Sequence, residues 1–397
     1  MMNAQRLTAR DDVDAIRDAL EQIAQYGVLG DANPWLIDVG SDAFVSCFER
    51  EILDDLVQHG GSTCRFFEGS YGAGKTHLLR LLGETARARG MVTARTDLTH
   101  ELGLGDWRSI AAYVLSNLEV TISGVSARGL PDILSALAAS GEANVEAMRG
   151  AHLAHTGFQA AMIRAATTAP ATPSATRAMP AVLRSYLLGG QVRLSALKQG
   201  GVRGVKDPLV LKNAEQVLST VLGGLFHLGL PGTLLLFDEN ESSLFSKRAT
   251  APPKLQAAAN IMRRLIDGCT TGNLVGTVAV FAVLPGFLDT CAQQYPALGQ
   301  RLEMPRKVSE PSWRWPIMPV TSATSLPDAA DFLDAMLGHF QQMLQDSGCD
   351  RARVARVVDQ MSAEGETLLA SQAGSGYRRP LMKHLATLAL GVMEEAA

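Results

Sequence analysis

The sequence lacks the cysteine pairs and histidine clusters from which zinc centres and disulfide frameworks are built. Its five cysteines are an odd number, they are widely scattered, and no two of them form a C-x-x-C pair. The eight histidines and four tryptophans form no ligand cluster either. This pattern argues for reduced thiols and against a zinc site. We therefore expect a cytoplasmic protein.

Long apolar runs and an excess of positive charge are also missing. The longest apolar stretch, residues 274–288, contains one proline and two glycines and is too short to span a bilayer. The first ten residues run into Asp11 and Asp12 with no apolar segment of the secretory type. The formal net charge is −4, so contact with nucleic acid would need a local basic patch. We expect a globular protein that is not associated with a membrane.

What the sequence does contain is one complete phosphate-binding motif. Residues 69–76 read Gly-Ser-Tyr-Gly-Ala-Gly-Lys-Thr, which fits G-x-x-x-x-G-K-[ST]. They stand between a short apolar segment, residues 64–67, and a helical pattern that begins near Lys75. A chance glycine-rich turn is the alternative, and the strand, loop and helix order disfavours it.

The chemistry of this motif assigns a role to each part of the loop. Glycine permits positive φ, so successive backbone N–H groups can face one anion. Lys75 would bind the β- and γ-phosphates of a nucleotide, and the hydroxyl of Thr76 would bind Mg²⁺. The predicted nucleotide-binding residues are Gly69, Ser70, Tyr71, Gly72, Ala73, Gly74, Lys75, Thr76 and His77.

A second motif is the acidic end of an apolar strand pattern. Residues 233–237 are apolar apart from the initial threonine, and Asp238 and Glu239 follow them. In this arrangement Asp238 would hold Mg²⁺, and Glu239 would polarise the water that attacks the γ-phosphate. A strand that ends in a solvated acidic turn is the alternative. The phosphate loop earlier in the chain favours the catalytic interpretation.

Two arginines and two basic stretches are weaker candidates. Arg301 and Arg379 are placed late in the chain, where a cation could meet transition-state charge. From spacing alone, a surface ion pair is the better explanation of each arginine. Residues 193–206 and 247–254 are basic but lack interleaved aromatic residues, so at most they suggest sequence-independent contact with nucleic-acid phosphates. A solvated loop is the simpler explanation of both stretches.

The alternation of helical and strand patterns predicts an α/β fold in which helices flank a parallel sheet. Strand patterns vanish after residue 125 and return at residue 233, and residues 143–166 look like one helix. Five segments follow from this pattern. They are an N-terminal helical segment 1–62, a first part of the core 63–124, a helical insertion with a Pro/Thr/Ser-rich stretch 125–206, a second part of the core 207–322, and a C-terminal helical lid 323–397.

Residues 65–79, read with Leu20, Ile23, Gly27 and the pair Val39-Gly40, resemble the ATP-binding proteins of BREX-type phage-defence islands, the BrxD group. Those proteins are AAA+-like P-loop ATPases, distantly related to origin-recognition proteins. The resemblance covers residues 9–97 well and the rest only at scattered positions. It implies that Arg301 is an arginine finger for a neighbouring subunit and that Arg379 is the sensor-2 arginine of the lid.

The resemblance also implies hydrolysis of MgATP coupled to remodelling of a partner or of DNA. The implied partners are other defence proteins of the helicase or methyltransferase type, and homo-oligomerisation and direct nucleic-acid contact stay open. One departure is that Leu284-Pro285-Gly286 stands where AAA+ proteins usually carry a polar sensor-1 residue, which puts the gating of hydrolysis in question. The alternatives are an ATP-dependent DNA-loading switch and a nucleotide-ordered scaffold with little turnover.

Overall fold

The structure is a computed structural model, and it divides into two compact units. The loop unit comprises residues 1–48, 67–84 and 318–397, and the sheet unit comprises residues 49–66 and 85–317. The residues described are 13–27, 34–98, 104–167, 179–199, 202, 205, 207–238, 252–303, 313, 315–323, 328–371 and 375–394.

Seven strands of the described residues form one sheet. They are β1 Thr63–Glu68, β2 Val92–Asp97, β3 Glu119–Ile122, β4 Val125–Arg128, β5 Thr233–Asp238, β6 Thr277–Val283 and β7 Ile317–Pro319. Their order in the sheet is β4-β3-β2-β5-β6-β1-β7, and β5 is parallel to both β2 and β6. Every residue of β5 and β6 is buried, as expected for interior strands of a parallel sheet. The predicted α/β fold with a mostly parallel sheet is confirmed.

Sixteen α-helices lie in the described residues. In chain order they are α1 Val13–Tyr26, α2 Asp42–Cys47, α3 Lys75–Ala88, α4 Trp107–Asn117, α5 Leu130–Ser140, α6 Val145–Gly150, α7 Thr156–Ala166, α8 Ala181–Leu187, α9 Leu194–Gln199, α10 Ala214–His227, α11 Pro252–Thr270, α12 Phe287–Gln294, α13 Pro296–Leu302, α14 Ala329–Asp346, α15 Arg351–Ser371 and α16 Arg378–Glu394. A π-helical segment, Phe48–Asp54, follows α2, and short 3₁₀ turns occupy Pro34–Leu36, Val57–His59, Val320–Ala323 and Ser375–Tyr377.

The prediction that no strand lies between residues 125 and 233 is wrong for the first four residues of that stretch, which form strand β4. Strand β4 pairs antiparallel with β3 through a two-residue turn at Ser123 and Gly124. Both turn residues have positive φ, 49° and 81°, which suits the tight turns that join antiparallel strands. The hairpin therefore extends the sheet beyond β2 on the side opposite β5.

The single helix predicted for residues 143–166 is in fact two helices, α6 and α7. The side chain of Asn144 accepts a hydrogen bond from the backbone N–H of Ala147 and caps α6. The imidazole Nδ1 of His155 accepts from the N–H of Phe158 and caps α7. Two local caps thus begin two short helices where the apolar pattern suggested one long helix.

The hydrophobic core of the sheet unit joins the strands to the helices that lie between residues 130 and 228. Phe237 of β5 stacks on Phe281 of β6 with ring centroids 4.4 Å apart, and Phe66 of β1 stacks on the same ring at 5.2 Å. Leu134 and Phe158, from α5 and α7, are buried in that same core. The helices of the predicted insertion therefore share one core with the sheet, and the division at residues 62, 124, 206 and 322 stays a prediction.

The loop unit has a core of its own, which consists of α1 and the three C-terminal helices. Ile16 and Leu20 of α1 are buried with Phe340 of α14 and Leu385 of α16. Helix α1 is terminated by Gly27, which has a positive φ of 69° and whose N–H donates a hydrogen bond to the carbonyl of Ile23. The N-terminal and C-terminal ends of the described chain are thus folded into one helical cluster.

Candidate functional site

The glycine-rich loop follows β1 directly and leads into α3, which begins at Lys75. Gly72 and Gly74 have φ values of +77° and +96°, which side-chain-bearing residues rarely adopt. The ammonium of Lys75 donates to the carbonyl oxygens of Gly69 at 2.7 Å and Ser70 at 3.2 Å, so the lysine folds back over its own loop. The ring of Tyr71 lies 5.4 Å from the same ammonium. The first N–H groups of α3 add a partial positive charge at this end of the helix.

A second cation reaches the loop from the C-terminal helices of the same unit. The Nη1 atom of Arg378 lies 3.5 Å from the carbonyl oxygen of Ala73, and a Cβ at Gly74 would lie 3.5 Å from that nitrogen. The guanidinium stacks on the ring of Phe332, with Cζ 4.7 Å from the ring centroid. A phenylalanine of α14 thus fixes an arginine of α16 against the loop.

Gly376 also contacts the loop. A Cβ added to Gly72 would lie 3.0 Å from the carbonyl oxygen of Gly376, closer than real Cβ atoms ordinarily approach. Glycine at position 72 is therefore required twice, by its positive φ and by this close backbone approach.

Arg379, the arginine for which the resemblance implies a sensor-2 role, has different partners. Its Nε and Nη2 atoms donate to the carbonyl of Tyr26 at 3.3 and 3.0 Å. Lys383, one turn later, donates to the carbonyl of Gln25 at 2.9 Å. These two cations satisfy the last carbonyls of α1, where positive charge is favourable. The sensor-2 role of Arg379 stays a prediction, and sequence reasoning missed its neighbour Arg378.

His77, the last residue predicted to bind nucleotide, is held by an acid of the N-terminal segment. Its Nε2 atom lies 3.0 Å from Oδ1 of Asp38, whose side chain is 4 % exposed. Burial by itself would raise the pKa of Asp38. The hydrogen bond and charge of His77, together with hydrogen bonds from Ser41, outweigh burial and lower that pKa. The pair therefore fastens the segment after the Pro34–Leu36 turn to the first turn of α3.

In the sheet unit, Asp238 is the last residue of β5 and its side chain is only 3 % exposed. Its Oδ2 atom accepts a hydrogen bond from Nη2 of Arg95 on the adjacent strand β2, at 3.2 Å. The Nε atom of Arg95 donates at 3.0 Å to Oδ1 of Asp97, which ends β2. One guanidinium therefore bridges two carboxylates at the ends of neighbouring strands. Glu239, the predicted catalytic base, lies outside the described residues.

Arg301, the predicted arginine finger, is part of an ion-pair cluster within the sheet unit. Its Nε and Nη2 atoms donate to the carboxylate of Asp267 at 2.8 and 3.3 Å. Arg263 donates to the same carboxylate at 3.0 Å. Asp267 thus orients two guanidinium groups, and the role of Arg301 towards a neighbouring subunit stays a prediction.

The comparison with protein families agrees with the geometry of the loop. Residues 14–203 match the family described as BREX system ATP-binding protein BrxC/D. This segment belongs to the BrxC/D family. The match supports ATP binding in a BREX defence system. The matched segment contains the glycine-rich loop, Asp38 and Arg95, and it ends before Asp238, Arg301 and Arg378. A search of the curated proteins finds no match, and a search of the solved structures finds none either.

In the described parts of the sequence, no three histidine, cysteine, aspartate or glutamate side chains are grouped so as to hold a metal ion by themselves. Mg²⁺ differs from zinc in that it is commonly held by one or two protein oxygens together with substrate phosphates. The buried carboxylate of Asp238 and the hydroxyl of Thr76 are oxygen donors of the kind that Mg²⁺ prefers. Each oxygen by itself suits an ion that arrives with the nucleotide, and a joint role for the two residues stays a prediction.

Other features of the chain give little support to a second site. Burial raises the pKa of Cys269 and Cys291 to about 12, so these thiols are poor nucleophiles at neutral pH. Arg193 and Lys198 are exposed, but Arg203, Lys206, Lys247 and Arg248 of the two basic stretches lie outside the described residues. None of the helices in the described ranges is both long enough and apolar enough to cross a membrane.

Proposed function

We propose that the chain binds MgATP at residues 69–76 and hydrolyses it to drive rearrangements within a BREX assembly. One observation carries this proposal. Lys75 and Arg378, separated by about three hundred residues of sequence, both reach the same glycine-rich loop. A loop that gathers two cations and a helix N-terminus is suited to several phosphate groups.

The binding of ATP would replace weak hydrogen-bond acceptors of the loop cations with stronger ones. The ammonium of Lys75 donates to the neutral carbonyls of Gly69 and Ser70, and phosphate oxygens would take over these bonds. Hydrogen bonds to a charged acceptor are roughly twice as strong as those between neutral groups. Arg378, held by Phe332, would contact the same polyphosphate without a large movement of its side chain.

Hydrolysis is the part of the proposal that rests on the sequence pattern. Mg²⁺, when bound, neutralises charge on the phosphates. Thr76 and Asp238 are the proposed protein ligands of that ion, and Glu239 is proposed to accept a proton from the attacking water. Arg301 is proposed to act on the nucleotide of a second copy of the chain.

The first test separates binding from hydrolysis. Lys75→Ala should weaken ATP binding by roughly 100-fold, about 3 kcal/mol, because it removes a charged donor from the phosphates. Calorimetry with a non-hydrolysable ATP analogue measures this change, and Lys198→Ala, at an exposed lysine of α9, is the matched control. An unchanged affinity in Lys75→Ala would overturn the assignment of the loop.

The second test addresses turnover. Glu239→Gln should reduce ATP hydrolysis by about 100-fold or more while ATP affinity is retained. If phage protection survives that loss, the motor interpretation is wrong and ATP acts only as a switch. A specific observation favours the switch as second candidate. Strand β6 ends at Val283, and Leu284 and Pro285 follow it, so no polar side chain is offered where AAA+ proteins usually sense the γ-phosphate.

The proposed partners are other BREX components of the helicase or methyltransferase type and a second copy of this chain. Light scattering with and without MgATP measures self-association. If Arg301 acts between copies, Arg301→Gln should lower hydrolysis only in the associated form. Lower hydrolysis in the monomer would instead place the role of Arg301 within its own subunit.

A further inference from the structure

Arg95 holds a position that the proposed function leaves without a role. It is the fourth residue of β2, and its guanidinium reaches the carboxyl ends of both β2 and β5. The register of the two parallel strands explains this reach, since Asp97 stands directly opposite Asp238 and Arg95 lies two residues before Asp97 on the same face. The side chain therefore runs along the sheet surface to both acids.

The two acids that share Arg95 have very different surroundings. The side chain of Asp238 is 3 % exposed, whereas that of Asp97 is 54 % exposed. A buried carboxylate is costly unless it is paired or hydrogen-bonded, so the bond from Arg95 is worth more to Asp238 than to Asp97. The bond between Arg95 and Asp97 costs little free energy to break or to form again, because water can solvate the exposed carboxylate of Asp97.

Guanidinium and Mg²⁺ compete for the same carboxylate oxygens. A cation that approaches Oδ2 of Asp238 meets Nη2 of Arg95 at 3.2 Å from that oxygen. The Nη2 atom of Arg95 can move away from Oδ2 of Asp238 while the arginine keeps its bond to Asp97, because that bond uses a different nitrogen, Nε. The geometry therefore allows a side-chain exchange in which the arginine never loses both of its partners.

We propose that Arg95 is a positioning residue that competes with the metal ion for Asp238 and retreats to Asp97 when MgATP binds. The inference rests on the proposed function. Arg95 would hold Asp238 in place while it is not bound to metal and would weaken any binding of metal in the absence of nucleotide. The phosphates of ATP then supply the additional oxygens that allow the ion to displace the arginine.

The experiment measures how strongly Mg²⁺ favours the binding of nucleotide, and no turnover is needed. Calorimetry with a non-hydrolysable ATP analogue gives the affinity with Mg²⁺ and with EDTA, and the ratio of the two is the metal preference. Arg95→Gln should raise this ratio about fivefold, the value of one modest ion pair. Asp97→Asn, at an exposed side chain, should lower the ratio about twofold. Of the two carboxylates that share Arg95, only that of Asp238 then remains, so the arginine holds it more firmly against the metal ion.

Two further variants separate the direct contact of Arg95 with Asp238 from a general effect of positive charge. Arg128→Gln removes the same charge from an exposed arginine of β4 that pairs with Glu119, and it should leave the ratio unchanged. Arg95→Lys keeps the charge but loses the two-nitrogen fork, so it should give an intermediate ratio. If Arg95→Lys matches wild type while Arg95→Gln rises, a general field is responsible and the contact proposal is overturned.

The remaining outcomes are equally decisive. An unchanged or lower ratio in Arg95→Gln overturns the role of Arg95 and leaves the proposed function in place. A wild-type chain that binds the analogue with no preference for Mg²⁺ overturns the role of Asp238 and this inference with it. Should Arg95→Gln fail to fold, Asp97→Asn decides, since a ratio equal to or above wild type contradicts the exchange.

Discussion

The glycine-rich loop and the end of β5 carry opposite charges, and the structure satisfies them in different ways. At the loop, Lys75 and Arg378 donate to backbone carbonyls of residues 69–73. At the end of β5, the carboxylate of Asp238 is paired with the full positive charge of Arg95. Under the proposed function, phosphate would replace neutral acceptors at the loop, whereas a metal ion would have to displace a cation at Asp238.

This difference separates the nucleotide from the metal in energetic terms. Exchange of a carbonyl for a phosphate oxygen would strengthen each hydrogen bond, so on the proposed function the loop would bind ATP without help from the metal. Exchange of guanidinium for Mg²⁺ is more nearly balanced, because both are cations and one ion pair is lost as another forms. We infer that the loop determines ATP affinity and that the end of β5 determines whether a metal-dependent step follows.

The largest effect that tests this contrast is expected from Asp238→Asn. Turnover should fall by roughly 100-fold or more, because the proposed metal ligand is lost. The affinity for the ATP analogue in EDTA should stay within about twofold of wild type, because the loop is intact. Calorimetry and a phosphate-release assay measure the two quantities. If the EDTA affinity falls along with turnover, the two regions do not act separately.

The next largest effect is expected from Gly72→Ala, which alters only the glycine-rich loop and should lower ATP affinity. A Cβ there meets the carbonyl of Gly376 at 3.0 Å, and the φ of +77° adds about 1–2 kcal/mol of backbone strain. We expect ATP affinity to fall by roughly 30-fold, because the loop must move to relieve both. Gly272→Ala is the matched control, since its φ is +74° and no atom lies within 4 Å of its Cβ. An equal loss in both variants would mean that the contact with Gly376 is unimportant.

Arg378→Ala and Arg379→Ala test which arginine serves the loop. Arg378→Ala should weaken binding of the ATP analogue about tenfold, because it removes a charged donor near Ala73. Arg379→Ala should change ATP affinity less than twofold and lower the free energy of unfolding by about 0.5–1 kcal/mol, because it uncaps α1. The reverse order of affinities would support the sensor-2 role of Arg379 and contradict the role at the loop that we propose for Arg378.

The last effect concerns the stability of the fold and is expected at Asp38, which lies beside the first turn of α3. Its pKa is lowered from 3.8, so the stability that it contributes is present above about pH 4 and is lost as the pH falls through the lower folded-state value. Asp38→Asn should therefore lower the free energy of unfolding by about 1–2 kcal/mol at pH 7 and by less below pH 4. Denaturant titrations at several pH values measure the difference, with the exposed Asp334→Asn as control. A difference that does not shrink in acid would show that charge is not its source.

The sequence predicted the central strands and the loop well, for identifiable reasons. Strands β5 and β6 are continuous apolar runs with clear ends, and the strand pattern of residues 233–237, closed by Asp238, matches the observed bounds of β5. The β3–β4 hairpin was missed at the first residues of an alanine- and glycine-rich stretch, although Ser123-Gly124 between two four-residue strands is itself a turn signal. The break between α6 and α7 was missed because His155 and Asn144 act as caps that an apolar pattern does not reveal.

The arginines show where prediction from sequence ends. Arg378 and Arg379 are adjacent in the chain, and only the path of α16 past Phe332 and α1 decides which one faces the loop and which one caps a helix. The pairing of Arg95 with Asp238 leaves no local pattern in the sequence, because the two residues are 143 positions apart. Long-range pairs of this kind depend on strand order and register, which spacing along the chain does not contain.

By itself, the sequence determined the phosphate loop, the α/β class and the acidic end of β5, because each depends on neighbouring residues and their local backbone preferences. The tertiary structure alone decided that Arg378 contacts the loop, that Asp238 is paired with Arg95, and that Arg301 is paired with Asp267. Each of these contacts joins elements that are distant along the chain. Their geometry follows from how β-strands align and how helices pack, and those arrangements are set by the whole core.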